Sequence, residues 1–224
     1  MSKKIRQALI SLSDKSDLES VLKILKKYNI KIISSGGTSK KIKKLGYGCK
    51  EISKFTKSSE ILGGRVKTLH PKIYAGILHK RSNKKHNKEL RINNYEEIDL
   101  IIVNFYPFEK TLEKTKKHKT IIENIDIGGP TLVRAAAKNY KDVVVITNPN
   151  QYQDFINELI KNNGSTSFDF RKKLSEQAFS LTAYYDSVIS NYFNKKTKNI
   201  FPEKKVIFGN LIETMRYGEN PHQK

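Results

Sequence analysis

Short apolar runs alternate with amphipathic stripes from residue 7 to residue 161, and that alternation limits the fold more than any other feature of the chain. "QALISLS" reads as a buried strand, after which Leu18, Val21, Leu22 and Leu25 recur at i, i+3, i+4 and i+7, the stripe of an amphipathic helix. Ser16 and Glu19 stand at capping-box spacing before that stripe, which predicts a helix starting near residue 16. "KIISS" is a second strand, running into "GGT" and a short helix that ends about Gly46. "YAGILH" is a candidate further strand, "DLIIVNFYPF" is the most strand-like segment, and "DVVVIT" precedes a helix from about Tyr152 to Lys161. Strands separated by helices predict an α/β fold with a parallel sheet, whose functional loops lie at the carboxyl ends of the strands.

Beyond "DVVVIT" the pattern changes. "DFRKKLSEQAFSLTAYYDSVISNYF" is one long helix-compatible stretch with Leu174, Ala178, Leu181 and Tyr185 on a common face, so a helical layer is expected rather than another sheet unit. The next strand expected is "KKVIFGN". No internal repeat is present, and the linker-like "NKKTKNIFPEKK" suggests a boundary near residue 200, with too few residues after it for a second domain.

The 224 residues, 37% of them hydrophobic, suffice for a sizeable core. The lone Cys49 rules out an intramolecular disulfide and a cysteine-based metal cage, which fits a reducing cytoplasm. No apolar run approaches the roughly 18 residues that a spanning helix needs. The N-terminus passes from charge straight into a strand-like stretch, so neither a signal peptide nor a membrane anchor is expected. The net charge of +21 draws anionic partners, but lysine, asparagine and isoleucine are abundant together along the whole chain. Runs such as "KKIKK" and "KTKKHK" lack the interleaved aromatics that stack bases, so they read as solvated faces, with nucleic-acid binding kept as the generic rival.

The strand ends carry the chemistry. The first offers Ser11, Ser13 and Lys15; the second offers Ser35, Gly36, Gly37 and Thr38 opening a helix. Hydroxyls, glycine amides and a helix N-terminus together favour a phosphate, although "SGGT" alone fits a tight turn with a hydroxyl cap equally well. Asn104 and Tyr106 follow the longest strand, and a tyrosine there also suits a core residue with its hydroxyl in water. "GGRVKTLHP" gathers Arg65, Lys67 and Thr68 with no apolar face, and Asp126 stands beside the diglycine Gly128–Gly129 at the start of an alanine-rich helix ending at Lys138, where it also fits as a helix cap.

Taken in order, "SLSDKSDL", "SSGGTSKKI", "EILGGRVKTLHPKIYAGIL", "NFYPF" and "IDIGGPTLVRAAAKN" resemble the N-terminal IMP cyclohydrolase domain of the AICAR transformylase/IMP cyclohydrolase family, from about Ala8 to Phe193. The resemblance implies a methylglyoxal-synthase-like three-layer sandwich with a mainly parallel sheet, plus a C-terminal helical layer. It implies closure of the purine ring of FAICAR with loss of water to give IMP, in a cytoplasmic homodimer, without metal or organic cofactor for this step. On the matched positions, Ser13, Lys15, Ser35, Gly37 and Thr38 would grip the 5′-phosphate with Arg65 nearby, and Gly36 and Thr68 would also bind the substrate. Lys67 and Tyr106 would stabilise the developing oxyanion and assist water loss. Asp126 and Lys138 would form the proton-handling pair, with Asn104 and the Gly128 and Gly129 amides positioning the ring. His70 is expected to shape its loop beside Pro71 rather than act as a base.

"ETMRYGENPHQK" resembles the opening of the family's transformylase domain, where Arg216 and Tyr217 match residues that hold a nucleotide. Residues 1–199 are thus expected to be the cyclohydrolase domain and 200–224 a linker and truncated transformylase start, mobile or leaning on the surface. The 10-formyltetrahydrofolate cofactor would belong to the missing remainder, so no formyl transfer is expected of this chain. Three rivals stand beside this reading: a methylglyoxal synthase, whose motifs are not seen; a regulatory nucleotide-binding module of the same fold; and a basic nucleic-acid binder.

Overall fold

The computed structural model describes residues 2–213. Two compact units divide the chain, residues 1–182 and residues 183–224. In chain order the elements are β1 (Lys3–Lys4), β2 (Gln7–Leu12), α1 (Leu18–Lys27), β3 (Lys31–Ser34), α2 (Gly36–Lys44), β4 (Lys50–Glu51), α3 (Ile52–Thr56), α4 (Pro71–Leu78) and α5 (Lys84–Ile92). Then come β5 (Leu100–Asn104), α6 (Phe108–Lys114), α7 (His118–Glu123), α8 (Gly128–Lys138), β6 (Val144–Ile146), α9 (Tyr152–Lys161), β7 (Ser165–Thr166) and α10 (Phe168–Lys196).

Five strands form one sheet in the order β4-β3-β2-β5-β6, every pair parallel, so the expected α/β architecture is what the chain adopts. β1 and β7 pair antiparallel as a separate two-stranded ribbon. In β5, the interior strand between β2 and β6, Leu100 to Val103 are at most 1% exposed. Successive side chains of a strand point to opposite faces, so both faces of β5 are buried, which is why it reads as an unbroken apolar run rather than an alternating one. Each such side chain stabilises the fold by roughly 1.5–3 kcal/mol through burial alone. The stripe Leu18, Val21, Leu22 and Leu25 is buried on α1 as its spacing predicts.

Three local expectations need correction. The capping box at Ser16 and Glu19 does not form, and α1 starts at Leu18 behind Asp17 at φ 52° with no side-chain cap. The Asp14 carboxylate competes for the same groups: it accepts from the Ser16 N–H at 2.9 Å and the Ser16 hydroxyl at 2.6 Å. "YAGILH" is not a strand but most of α4. Pro71 occupies the first turn, His70 caps it by accepting from the Lys72 N–H at 3.1 Å, and Ile73, Gly76 and Ile77 turn inward at helical spacing. Gly76 is required there, because a Cβ would lie 2.5 Å from the Glu96 carbonyl, while the Ile98 N–H donates to the Gly76 carbonyl at 3.0 Å. Finally, "KKVIFGN" forms no strand among the described residues.

The long C-terminal helix is α10. Within the first unit, Leu174 and Ala178 join the core, and Arg171, 1% exposed, donates to the Tyr140 carbonyl at 2.9 Å and the Lys141 carbonyl at 3.1 Å. In the second unit, Asn191 donates to the Val206 carbonyl at 3.2 Å, and Phe208 meets Tyr184 edge-on with centroids 5.2 Å apart. The segment after α10 therefore leans on that helix, while Phe201, Ile207, Leu211 and Ile212 stay exposed. Arg216 and Tyr217 lie outside the described residues. Among the described residues no helix is long and apolar enough to cross a membrane.

Candidate functional site

Parallel pairing sends the chain out of β2, β3 and β5 in one direction, with Leu12 opposite Asn104 and Ile10 opposite Ser34. The loops that follow enclose a cleft of about 710 Å³. Every candidate residue from Ser13 to Gly129 lines it: Ser13, Lys15, Ser35, Gly36, Gly37, Thr38, Arg65, Lys67, Thr68, Asn104, Tyr106, Asp126, Gly128 and Gly129. A smaller hollow of about 280 Å³ beside Asn148, Gln151 and Lys173 contains none of them.

One wall gathers free main-chain N–H groups and positive charge. Ser35 is the extended N-cap of α2 and makes no side-chain capping bond; the first helical bond runs from the Ser39 N–H to the Ser35 carbonyl. The N–H groups of Gly36, Gly37 and Thr38 are thereby left without intrahelical partners at the positive end of the helix dipole. Two ammonium groups approach the same turn. Lys67 Nζ lies 3.7 Å from where a Cβ on Gly36 would stand, and Lys15 Nζ lies 4.0 Å from the equivalent point on Gly37. Gly36 has φ +53°, a left-handed conformation that a side chain would strain.

Two neighbours of this wall are engaged differently from expectation. The Thr38 hydroxyl is buried and exchanges two bonds with Leu12, accepting from its N–H at 2.9 Å and donating to its carbonyl at 3.0 Å. Its proton is thus committed to the protein, not to a phosphate. The Asn104 side chain accepts from the Ser13 and Asp14 N–H groups at 2.7 and 3.0 Å and donates to the Asp14 carbonyl at 2.7 Å. It holds a loop where a ring contact was expected.

The opposite wall comes from the segment before α4 and from the α7–α8 junction. Leu62, Gly63 and Gly64 take three successive positive φ angles, +53°, +64° and +87°, and the Ile61–Val66 bridge closes that turn. It presents Arg65, which ion-pairs with Glu123 at the end of α7, and Lys67. Thr68, 6% exposed, sits so close to α8 that a Cβ on Gly128 would be 2.8 Å from its hydroxyl. A Cβ on Gly129 would be 2.5 Å from the Asp126 carboxylate, which accepts from the Gly129 N–H at 2.9 Å. Burial pushes the Asp126 carboxyl above the ordinary aspartate range, against the pull of the Gly129, Tyr106 and Gly128 N–H groups and the Lys67 charge. Tyr106 stands at the lip, 52% exposed.

Lys138 does not join this group. It is exposed at the far end of α8, ten residues from Gly128, so the helical rise carries it about 15 Å away. The expected Asp126–Lys138 pair does not form within the chain, and the cation that acts on Asp126 is Lys67. Sequence reasoning missed Glu123. Its signal was weak, an acid three residues before Asp126 in "ENID", because the partner Arg65 is 58 residues away. Among the described residues no three His, Cys, Asp or Glu side chains gather as a metal would require.

A family model described as the MGS-like domain matches residues 17–131, and one described as the AICARFT/IMPCHase bienzyme matches residues 136–224. Over 218 residues the chain is 48% identical to the bifunctional purine biosynthesis protein PurH of Prochlorococcus marinus subsp. pastoris, covering 97% of this chain and 42% of that protein. It is 42% identical over 221 residues to PurH of Bradyrhizobium diazoefficiens, covering 99% of this chain and 42% of that protein. The chain therefore spans less than half the length of these curated relatives. Among solved structures, the crystal structure of ForH matches with a TM-score of 0.75 and 27% identity, over 84% of this chain and 99% of that one.

Proposed function

This chain belongs to the MGS-like domain family, and on that premise we propose that its cleft is the IMP cyclohydrolase site of a purine-biosynthesis enzyme, closing the second ring of FAICAR to give IMP and water. We assign this activity to residues 1–199, as a cytoplasmic homodimer, and read residues 200–224 as a linker and the start of a transformylase domain. The observation that supports the reading most is the position of Lys67, whose ammonium approaches the first turn of α2 and whose charge also pulls on the Asp126 carboxyl across the cleft that both residues line. An anionic tail and a reacting centre on one small molecule would meet the same cation.

In this reading the 5′-phosphate takes the Gly36, Gly37 and Thr38 amides, with Ser13, Ser35 and Lys15 around it and Arg65 at the mouth sharing its charge with Glu123. Across the cleft, the carboxamide nitrogen attacks the formyl carbon and forms the new C–N bond. Its proton passes to the Asp126 carboxylate, while the formyl oxygen gains negative charge beside the Lys67 ammonium and the Tyr106 hydroxyl. The C–O bond then breaks and the oxygen leaves as water. It carries the proton taken from the carboxamide and a second one released by the formamido nitrogen as the C=N bond closes. A carboxyl raised by burial suits this work, since it can hold the proton between the two steps.

The test is to add the purified protein to FAICAR, with no folate or metal, and follow the ultraviolet change as the imidazole becomes a purine. IMP formation that is lost in Lys67→Ala and kept in Lys85→Ala, a change on an exposed face of α5, is the expected result. Equal activity in the two variants overturns the site assignment, and no IMP from the unaltered protein overturns the reaction.

A further inference from the structure

We infer that Asn104 and Thr38 are positioning residues for the anion-binding loop between β2 and α1, and that they act on a nucleotide through that loop. The inference rests on the reading of the cleft as a nucleotide site. Residues 13–15 leave the sheet before α1 begins, so neither a strand ladder nor a helix orders them. Two side chains from elsewhere in the chain do so instead. Thr38, 26 residues on, exchanges both of its bonds with the Leu12 main chain, and Asn104, 90 residues on, makes three bonds to the main chain of Ser13 and Asp14.

The stoichiometry of these bonds leaves the two side chains little direct share in ligand contact, as distinct from the Thr38 main-chain N–H. A threonine hydroxyl has one proton, and that of Thr38 goes to the Leu12 carbonyl. Both lone pairs of Asn104 Oδ1 are taken by loop N–H groups, and one proton of its amide goes to the Asp14 carbonyl. What the clamps fix is the direction of Ser13 and Lys15, whose ammonium also donates to the Ser13 carbonyl at 3.1 Å and stands over the first turn of α2. Without them, the loop would have to be ordered by the ligand, and that cost would appear as lost affinity for the phosphate.

The experiment is calorimetric titration of IMP, inosine and inorganic phosphate into the unaltered protein, Asn104→Ala, Thr38→Val and Thr38→Ser. Asn104→Ala and Thr38→Val should each weaken IMP and inorganic phosphate by about tenfold to a hundredfold and leave inosine unchanged. Thr38→Ser, which keeps the hydroxyl, should bind as the unaltered protein does. Inosine weakened as much as IMP would mean that Asn104 touches the nucleoside, and unchanged IMP affinity in both variants would mean that the loop needs no clamp; either overturns the inference. If Asn104→Ala fails to fold, the Thr38→Val and Thr38→Ser pair decides with the same readouts. An unaltered protein that binds inorganic phosphate but not IMP would overturn the functional reading alone, and the phosphate titrations would still judge the clamps.

Discussion

Asp99, just before the amino end of β5, and Asp126, opposite its carboxyl end, are both pushed above the ordinary aspartate range, and burial is the leading cause for each. Their surroundings differ. Asp99, 7% exposed, accepts from the Arg6 and Gln7 N–H groups at 3.0 and 3.2 Å and faces Arg81 at 3.4 Å. Arg81 in turn donates to the Ile98 carbonyl at 2.8 Å and the His79 carbonyl at 3.1 Å, and Asn139 donates to the Ile77 and His79 carbonyls at 2.7 and 3.0 Å. This end of the sheet is polar and closed upon itself. Asp126 accepts from the Gly129 N–H at 2.9 Å and lines the cleft of about 710 Å³. A perturbed carboxyl that lines open space, as Asp126 does, is a candidate for chemistry, whereas one enclosed among its own partners, as Asp99 is, reads as structural.

That contrast is sharpest under mutation. Lys67→Ala should lower the rate of IMP formation by about a thousandfold or more while melting at nearly the temperature of the unaltered protein; a stability loss that matched the rate loss would erase the distinction between the two ends. Arg81→Met should do the reverse. Removing the cation beside buried Asp99 should cost about 3 kcal/mol of stability in denaturant unfolding, with turnover per folded molecule retained.

The pH dependence separates the two aspartates more finely. A carboxyl with a raised folded pKa binds its proton more tightly in the folded state, so its contribution to stability is complete below the ordinary aspartate pKa and is lost as pH rises through the raised value. Asp126→Asn keeps an acceptor for the Gly129 N–H and removes that loss. Its melting temperature should exceed that of the unaltered protein at pH 7, and the gap should close on acidification, although turnover falls. Asp99→Asn should gain nothing at pH 7, because it strips Arg81 of its counter-charge. If Asp126→Asn proves the less stable of the two at pH 7, the two ends are alike after all. Smallest of all, Lys85→Ala should shift stability by less than about 0.5 kcal/mol and leave turnover unchanged.

The sheet was legible because its signals are local. An apolar run such as Leu100–Val103 and a stripe such as Leu18–Leu25 report their element within a few residues. The same reasoning failed at "YAGILH", where a six-residue apolar run suits a strand or a buried helix, and only the proline and the capping His70 before it tell them apart. The wall at the start of α2 was legible for a like reason: "SGGT" places a hydroxyl and two glycines at a helix start in four consecutive positions.

By itself the sequence determined the strand and helix alternation, the carboxyl edge as the place to look, and nearly all the residue types found there. Only the tertiary structure decided what those residues do to one another. It brought the Lys67 charge to bear on Asp126, paired Arg65 with Glu123 and turned Asn104 onto the loop of Ser13 and Asp14. Helical periodicity and turn chemistry act over a few residues, whereas these contacts join groups 58 to 91 positions apart and exist only once strand register and helix packing bring them together.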